Sequence, residues 1–234
     1  MSFESPAPAP AGGCALCAGR QHCVLGRLDA ERQTRWRALV TERSVRKGEL
    51  LLRQGQAASR SFKIVKTGTV VVMRGGGAEE AERPVGVFGP GQPLGTTVLV
   101  EEPAPLSCRA LTAGRICEVP IACAESRGLL ADAEFLRALA QSYAQTNARL
   151  ADWARIVRIK GVAGQLAATL LELAQLQRST LVRLPSQQML AELLSTSRET
   201  IARTLRQLAL RQALVRRDRW HCEIQRDMLA SLVH

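Results

Sequence analysis

Three cysteines stand within ten residues near the start of the chain, Cys14, Cys17 and Cys23, in C-x2-C-x5-C spacing. Two thiolates so placed can converge on one metal centre from a tight turn. A structural zinc site needs a fourth ligand, and although His22 adjoins Cys23, neighbouring side chains seldom converge on one small ion. A cubane iron–sulfur cluster is wider, takes four thiolates and accepts less regular spacing. Either centre calls for a distant cysteine, and Cys108, Cys117, Cys123 and Cys222 are the candidates. Unliganded thiols are the third reading. A disulfide framework is weaker, because the cysteines number seven and the opening MSFESPAPAPAGG lacks the basic and apolar regions of a signal peptide. No apolar run is long enough to span a bilayer, so a cytoplasmic, reducing compartment without membrane attachment is expected.

A second constellation lies in SRETIARTLRQLAL. On a helix beginning near Ser197, the residues Arg198, Glu199, Ala202 and Arg203 fall opposite Ile201, Leu205 and Leu208. An arginine fork can bond O6 and N7 of guanine, and a glutamate can accept from a cytosine amine. Such a helix fits the major groove with its first turns against the bases. The plainer alternative is a surface ion pair between Glu199 and Arg203, four residues apart. The preceding residues support the groove. Pro185-Ser186 reads as a helix start, QQMLAELL places Met189, Leu190, Leu193 and Leu194 on one face, and STS forms a turn in which Ser197 caps the next helix. Ser186 and Gln187 would then face phosphates, adding affinity without reading sequence. ALVRRDRWHCEIQ reads as a two-stranded wing, in which His221 and Cys222 are assigned no chemistry. From Arg183 to Arg226 nine arginines oppose four acidic residues, and the whole chain carries a formal charge of +11. A polyanionic partner, double-stranded DNA, is expected. Catalysis is not: there is no convergent acid–base set, P-loop or dinucleotide fingerprint.

These groups need elements to hold them. The chain has 234 residues, 46% of them hydrophobic, enough for a sizeable core. From Val45 to about Pro120, short Val/Ile/Leu/Phe segments alternate with glycine- and proline-rich turns, the texture of a sandwich, jelly roll or barrel. Gly75-Gly76-Gly77 looks like a hairpin loop. From about Asp132 to Leu176 helix formers dominate. Leu139, Tyr143, Thr146, Leu150, Trp153 and Val157 recur at intervals of four and three, a narrow stripe that suits either the chain's own core or a dimer seam. Gly161 and Gly164 mark a bend. The expected fold is α+β: a leader over 1–13, the cysteine segment over 14–30, a β-roll over 31–130, a dimerisation helix over 131–160, and a winged helix–turn–helix over 161–234.

In this order the parts resemble the CRP/FNR transcription regulators, and are most similar to the oxygen-sensing FNR branch. The resemblance implies that Cys14, Cys17, Cys23 and Cys117 hold one [4Fe–4S] cluster per chain, since Cys117-Glu118-Val119-Pro120 is similar to the family's Cys-Glu-Ile-Pro. It implies a homodimer on inverted-repeat promoter DNA, contact with RNA polymerase, and release of DNA when oxygen or nitric oxide dismantles the cluster. Asp152 matches an aspartate that opposes its twin across the dimer helix. A zinc-stabilised or thiol-redox regulator of the same fold is the alternative. Thr96 and Leu106 stand where cyclic-nucleotide members carry glutamate and arginine, so no cyclic nucleotide is expected. Two departures stand out. His22 replaces an apolar residue, and Arg198-Glu199-Thr200-Ile201-Ala202-Arg203 resembles the cyclic-AMP receptor branch, which points to TGTGA rather than TTGAT half-sites.

Overall fold

The computed structural model describes residues 14, 17, 19–37, 39–57, 60–76, 81–121, 128 and 131–233. The expected leader and Cys123 lie outside them. After a short 3-10 turn at Arg20–His22 comes α1 (Ala30–Arg37). Eight strands follow: β1 (Thr41–Val45), β2 (Leu50–Leu52), β3 (Ser61–Thr67), β4 (Val70–Arg74), β5 (Arg83–Phe88), β6 (Pro93–Leu94), β7 (Ser107–Ala110) and β8 (Gly114–Pro120). They form two antiparallel four-stranded sheets, β1-β8-β3-β6 and β2-β7-β4-β5. This is the expected jelly-roll-like domain.

The run VVVM in β4 explains how the roll joins the rest of the molecule. Successive strand residues face opposite sides, so an unbroken apolar run requires cover on both. Val70 and Val72 fill the interior between the sheets, with Val65, Phe88 and Ile116. Val71 and Met73 face outward and pack with Trp153, Ile156, Leu190 and Leu193 in the core of the C-terminal region. A third cluster at the other end of the roll gathers Val24, Leu25, Trp36, Phe62, Val119 and Phe135. It anchors both the cysteine segment and the start of the long helix.

That helix, α2 (Ala133–Ile156), has 24 residues and so runs about 36 Å. The side chain of Asp132 caps it, accepting from the backbone N–H of Glu134 at 2.9 Å and of Phe135 at 3.2 Å. Gly161 lies in the break before α3 (Val162–Gln177), whereas Gly164 sits inside α3. It is there because a Cβ would meet Leu232 O at 2.9 Å. Next come β9 (Leu181–Arg183), α4 (Gln187–Leu193), α5 (Arg198–Leu210), β10 (Leu214–Arg216), β11 (His221–Ile224) and α6 (Arg226–Ala230). The wing is a three-stranded sheet, β10-β11-β9, one strand more than the sequence suggested. No helix among the described residues is long and apolar enough to cross a membrane.

Candidate nucleic-acid interface and cysteine pocket

α4 and α5 are each started by a serine. Ser186 Oγ accepts from the N–H of Met189 at 3.3 Å, and Ser197 Oγ from that of Thr200 at 3.0 Å. Each such cap is worth about 1 kcal/mol. Between the helices Ser195 takes a left-handed conformation (φ 49°), and the N–H of Thr196 returns to Ala191 O at 2.9 Å. Ile201, Thr204, Leu205 and Leu208 bury one face of α5 against α4 and the core. Arg198, Glu199 and Arg203 occupy the opposite, exposed face. Among the described residues no ion pair joins Glu199 to Arg203, so the surface-pair alternative is not formed.

The wing hairpin is fixed by Asp218, which accepts from the N–H groups of Trp220 at 2.6 Å and His221 at 2.7 Å, and pairs with His221 Nδ1 at 2.8 Å. These bonds hold its carboxyl below the usual range. Cys222 is wholly buried. The structure adds residues that sequence reasoning did not reach. Trp220 lies under Arg219, 4.9 Å from its ring centroid, and under Lys47 of the β1–β2 turn, at 5.6 Å. Together with Ser186, Gln187, Arg198 and Arg216 they line a basic groove of about 400 Å³. No sequence signal ties Lys47 to the wing, because the contact is purely tertiary.

The stripe on α2 divides. Trp153 is 3% exposed and packs in its own chain's core, Leu139 and Leu150 are half-buried against the roll, and Tyr143 and Val157 are exposed. Thr146 is half-buried, and its Oγ1, like Trp153 Nε1, has no hydrogen-bond partner among the described residues. Tyr143 OH bonds Thr96 Oγ1, so Thr96 faces this helix. Asp152, further along the same helix, is exposed.

Cys14, Cys17, Cys23 and Cys117 line one small pocket of about 60 Å³, with Lys66, Arg37 and Glu42. Burial pushes the Cys23 thiol up to about 11 and the Cys117 thiol up to about 12, and raises that of Cys14. Metal ligation needs deprotonated sulfurs converging on one centre. Among the described residues no group of three or more His, Cys, Asp or Glu could hold a metal ion. The expected [4Fe–4S] cluster on these cysteines is therefore corrected, and with it the control of DNA binding by oxygen or nitric oxide through cluster loss. Cys14, Cys23 and Cys117 lie against the apolar cluster around Phe62 and Val119. Gly91 (φ 91°) admits the segment, since a Cβ there would meet His22 C at 2.8 Å.

An interface helix presented by capped serines, a basic wing and a roll beneath them define a two-part DNA-binding regulator. The comparisons narrow the class. Residues 42–126 match the cyclic nucleotide-binding domain family, and residues 164–232 match the Crp-like helix-turn-helix domain. The fold is similar to that of FixK2 from Bradyrhizobium japonicum (22% identity, TM-score 0.68, covering 83% of this chain and 98% of that one). It is also similar to that of a CRP-family transcriptional regulator from Thermus thermophilus (17%, 0.64, 82% and 96%). The c-di-GMP responsive global regulator CLP of Xanthomonas campestris shares it too (22%, 0.62, 84% and 100%). No curated protein matches the chain. The chain therefore joins a region similar to cyclic nucleotide-binding domains to a Crp-like helix-turn-helix region. Nothing in these matches favours the FNR branch over the others.

Proposed function

We propose that the chain binds an inverted repeat in double-stranded DNA as a homodimer, with α5 of each protomer in the major groove. The observation that carries this reading is the two-faced α5. Its buried side fixes the helix on α4, while Arg198, Glu199 and Arg203 stand exposed on the other side at its first turns. Arg198 reads a guanine, Glu199 accepts from cytosine or steers an arginine, and Arg203 contacts both kinds of half-site. Ser186, Gln187 and Ser197, at the helix starts, lie toward phosphates. Exposed Leu136, Tyr143 and Val157 on α2 supply apolar surface for the second copy, with Asp152 on the same helix opposing its twin. RNA polymerase is the expected further contact. Selection of bound sites from random duplexes tests the proposal. Enrichment of an inverted repeat with TGTGA-like half-sites is expected. Recovery of unrelated sequences, or of none, would refute it.

A further inference from the structure

We propose that a cavity between the roll and the DNA-binding region binds the diphosphate group of a small molecule and draws the two regions together. The cavity measures about 600 Å³ and lies beside the β3–β4 and β7–β8 turns of the roll, the end of α3 and β9. Four cations line it: Lys66 and Arg115 from the roll, Arg178 and Arg183 from the DNA-binding region. No acidic side chain among the described residues does. Lys66 and Arg115 both pair with Glu42 of β1, the latter at 2.6 Å. Glu42 lines the neighbouring cysteine pocket and not this one. Four cations against one carboxylate leave a surplus of three positive charges. A diphosphate carries about three negative charges near neutral pH and matches that surplus. Three of the four cations are guanidinium groups, whose planar forks suit phosphate oxygens.

Local structure presents these groups to the cavity. Gln177, the last residue of α3, holds β9 by both ends of its amide. Its Nε2 donates to Arg183 O at 2.9 Å, and its Oε1 accepts from the N–H of Arg183 at 2.7 Å. The Arg183 side chain then reaches the roll, donating from Nη1 to Ala113 O at 3.2 Å. Arg178 follows α3 in a left-handed conformation (φ 51°). Its N–H donates to Gln175 O at 3.3 Å, and that of Ser179 to Ala174 O at 3.1 Å. Carbonyls at the negative end of the helix dipole are thereby engaged, which lessens their repulsion of an anion. On the roll, Arg115 stands opposite Thr67, the neighbour of Lys66. Pro90 and Leu176 add an apolar flank, and the volume falls in the range of small-molecule sites, larger than a diphosphate alone fills.

Like charges from two regions that share one cavity repel each other, and an anion held between them turns that repulsion into attraction. Binding therefore couples the roll to the DNA-binding region without touching the exposed face of α5.

Isothermal titration of the full-length protein with inorganic pyrophosphate, at constant ionic strength, tests this. One site per chain is expected, with orthophosphate and sulfate at least about tenfold weaker. Arg183→Gln leaves the Gln177 bonds to that residue's backbone in place, and should weaken pyrophosphate about tenfold, the scale of one charge-assisted hydrogen bond. Thr67→Glu, at an exposed residue of the lining, should abolish binding, with circular dichroism verifying the fold of each variant. Arg198→Gln, on the DNA face, should bind pyrophosphate as the parent protein does. Amide exchange should slow over 66–68, 112–115 and 177–183 together. Adenosine diphosphate separates the sources: binding tighter than pyrophosphate assigns a nucleotide, weaker binding the free ion. Several results would overturn the proposal: no saturable binding, equal affinity for the three inorganic anions, or unchanged binding in Arg183→Gln and Thr67→Glu. Loss of binding in Arg198→Gln, or protection confined to one region, would do the same. Failure to bind any duplex, with pyrophosphate binding intact, would instead overturn the DNA reading.

Discussion

Replacing Arg198 with valine separates base reading from simple charge. Arg198 is the first residue of α5 and exposed, and it enters no ion pair among the described residues. Its loss leaves no buried partner unpaired, so the fold should be unaffected and the whole effect should appear on DNA. A bidentate arginine–guanine contact discriminates by roughly 1–3 kcal/mol, about fivefold to more than a hundredfold per half-site. Over two independent half-sites the free energies add, giving at least about 25-fold on a full inverted repeat. Fluorescence anisotropy with TGTGA repeats and with repeats lacking that guanine, across a series of salt concentrations, measures this. The variant should lose its preference between the duplexes, with a salt slope close to that of the parent protein. An arginine on phosphate behaves differently. Removing it would weaken both duplexes equally and lower the slope by about 0.9 for each phosphate no longer neutralised. That outcome would refute the base-reading role.

Other expectations concern the scaffold. Ser197→Ala removes the cap on α5 and should cost about 1 kcal/mol, lowering Tm by roughly 2–4 °C in a scanning experiment. An unchanged Tm would mean that the cap is redundant. Glu172, paired with Arg149 at 2.7 Å, has its carboxyl pushed above the ordinary range, chiefly by burial. The stability linked to it is complete below the ordinary glutamate value and is lost as pH rises through the raised one. Urea denaturation across that window should therefore show wild type losing stability relative to Glu172→Gln, and parallel profiles would contradict this. Gly91→Ala combines a strained φ with a clash against His22. It should expose Cys23 to alkylation faster than in the parent protein, whereas equal rates would show that the segment is held elsewhere.

The helix–turn–helix was legible because each of its parts is local: two serine caps, a buried face of Met189, Leu190, Leu193 and Leu194, and an arginine face opposite Ile201 and Leu205. The roll announced itself through short apolar strands and glycine turns, although β7, whose residues SCRA carry no run of Val, Ile, Leu or Phe, did not. The direction of α2 was not legible. A period of 3.6 says that Trp153 and Leu150 share a side with Tyr143, but not that Trp153 lies in the core its own chain makes with Val71. Helix α1 carries so many charges that only Gln33 and Trp36 are buried, too few to set a pattern. The cysteine spacing misled for a related reason. Intervals along a chain do not give the directions in which thiols point: the four cysteines line one pocket, yet among the described residues they form no group that could hold a metal ion.

Hydroxyl-radical footprinting of the full-length protein on a selected duplex tests the central claim most directly. Two protected patches centred about one helical turn apart, each with methylation protection at a guanine in the major groove, are the predicted pattern. A single patch, or uniform weak protection along the duplex, would contradict recognition by a pair of α5 helices.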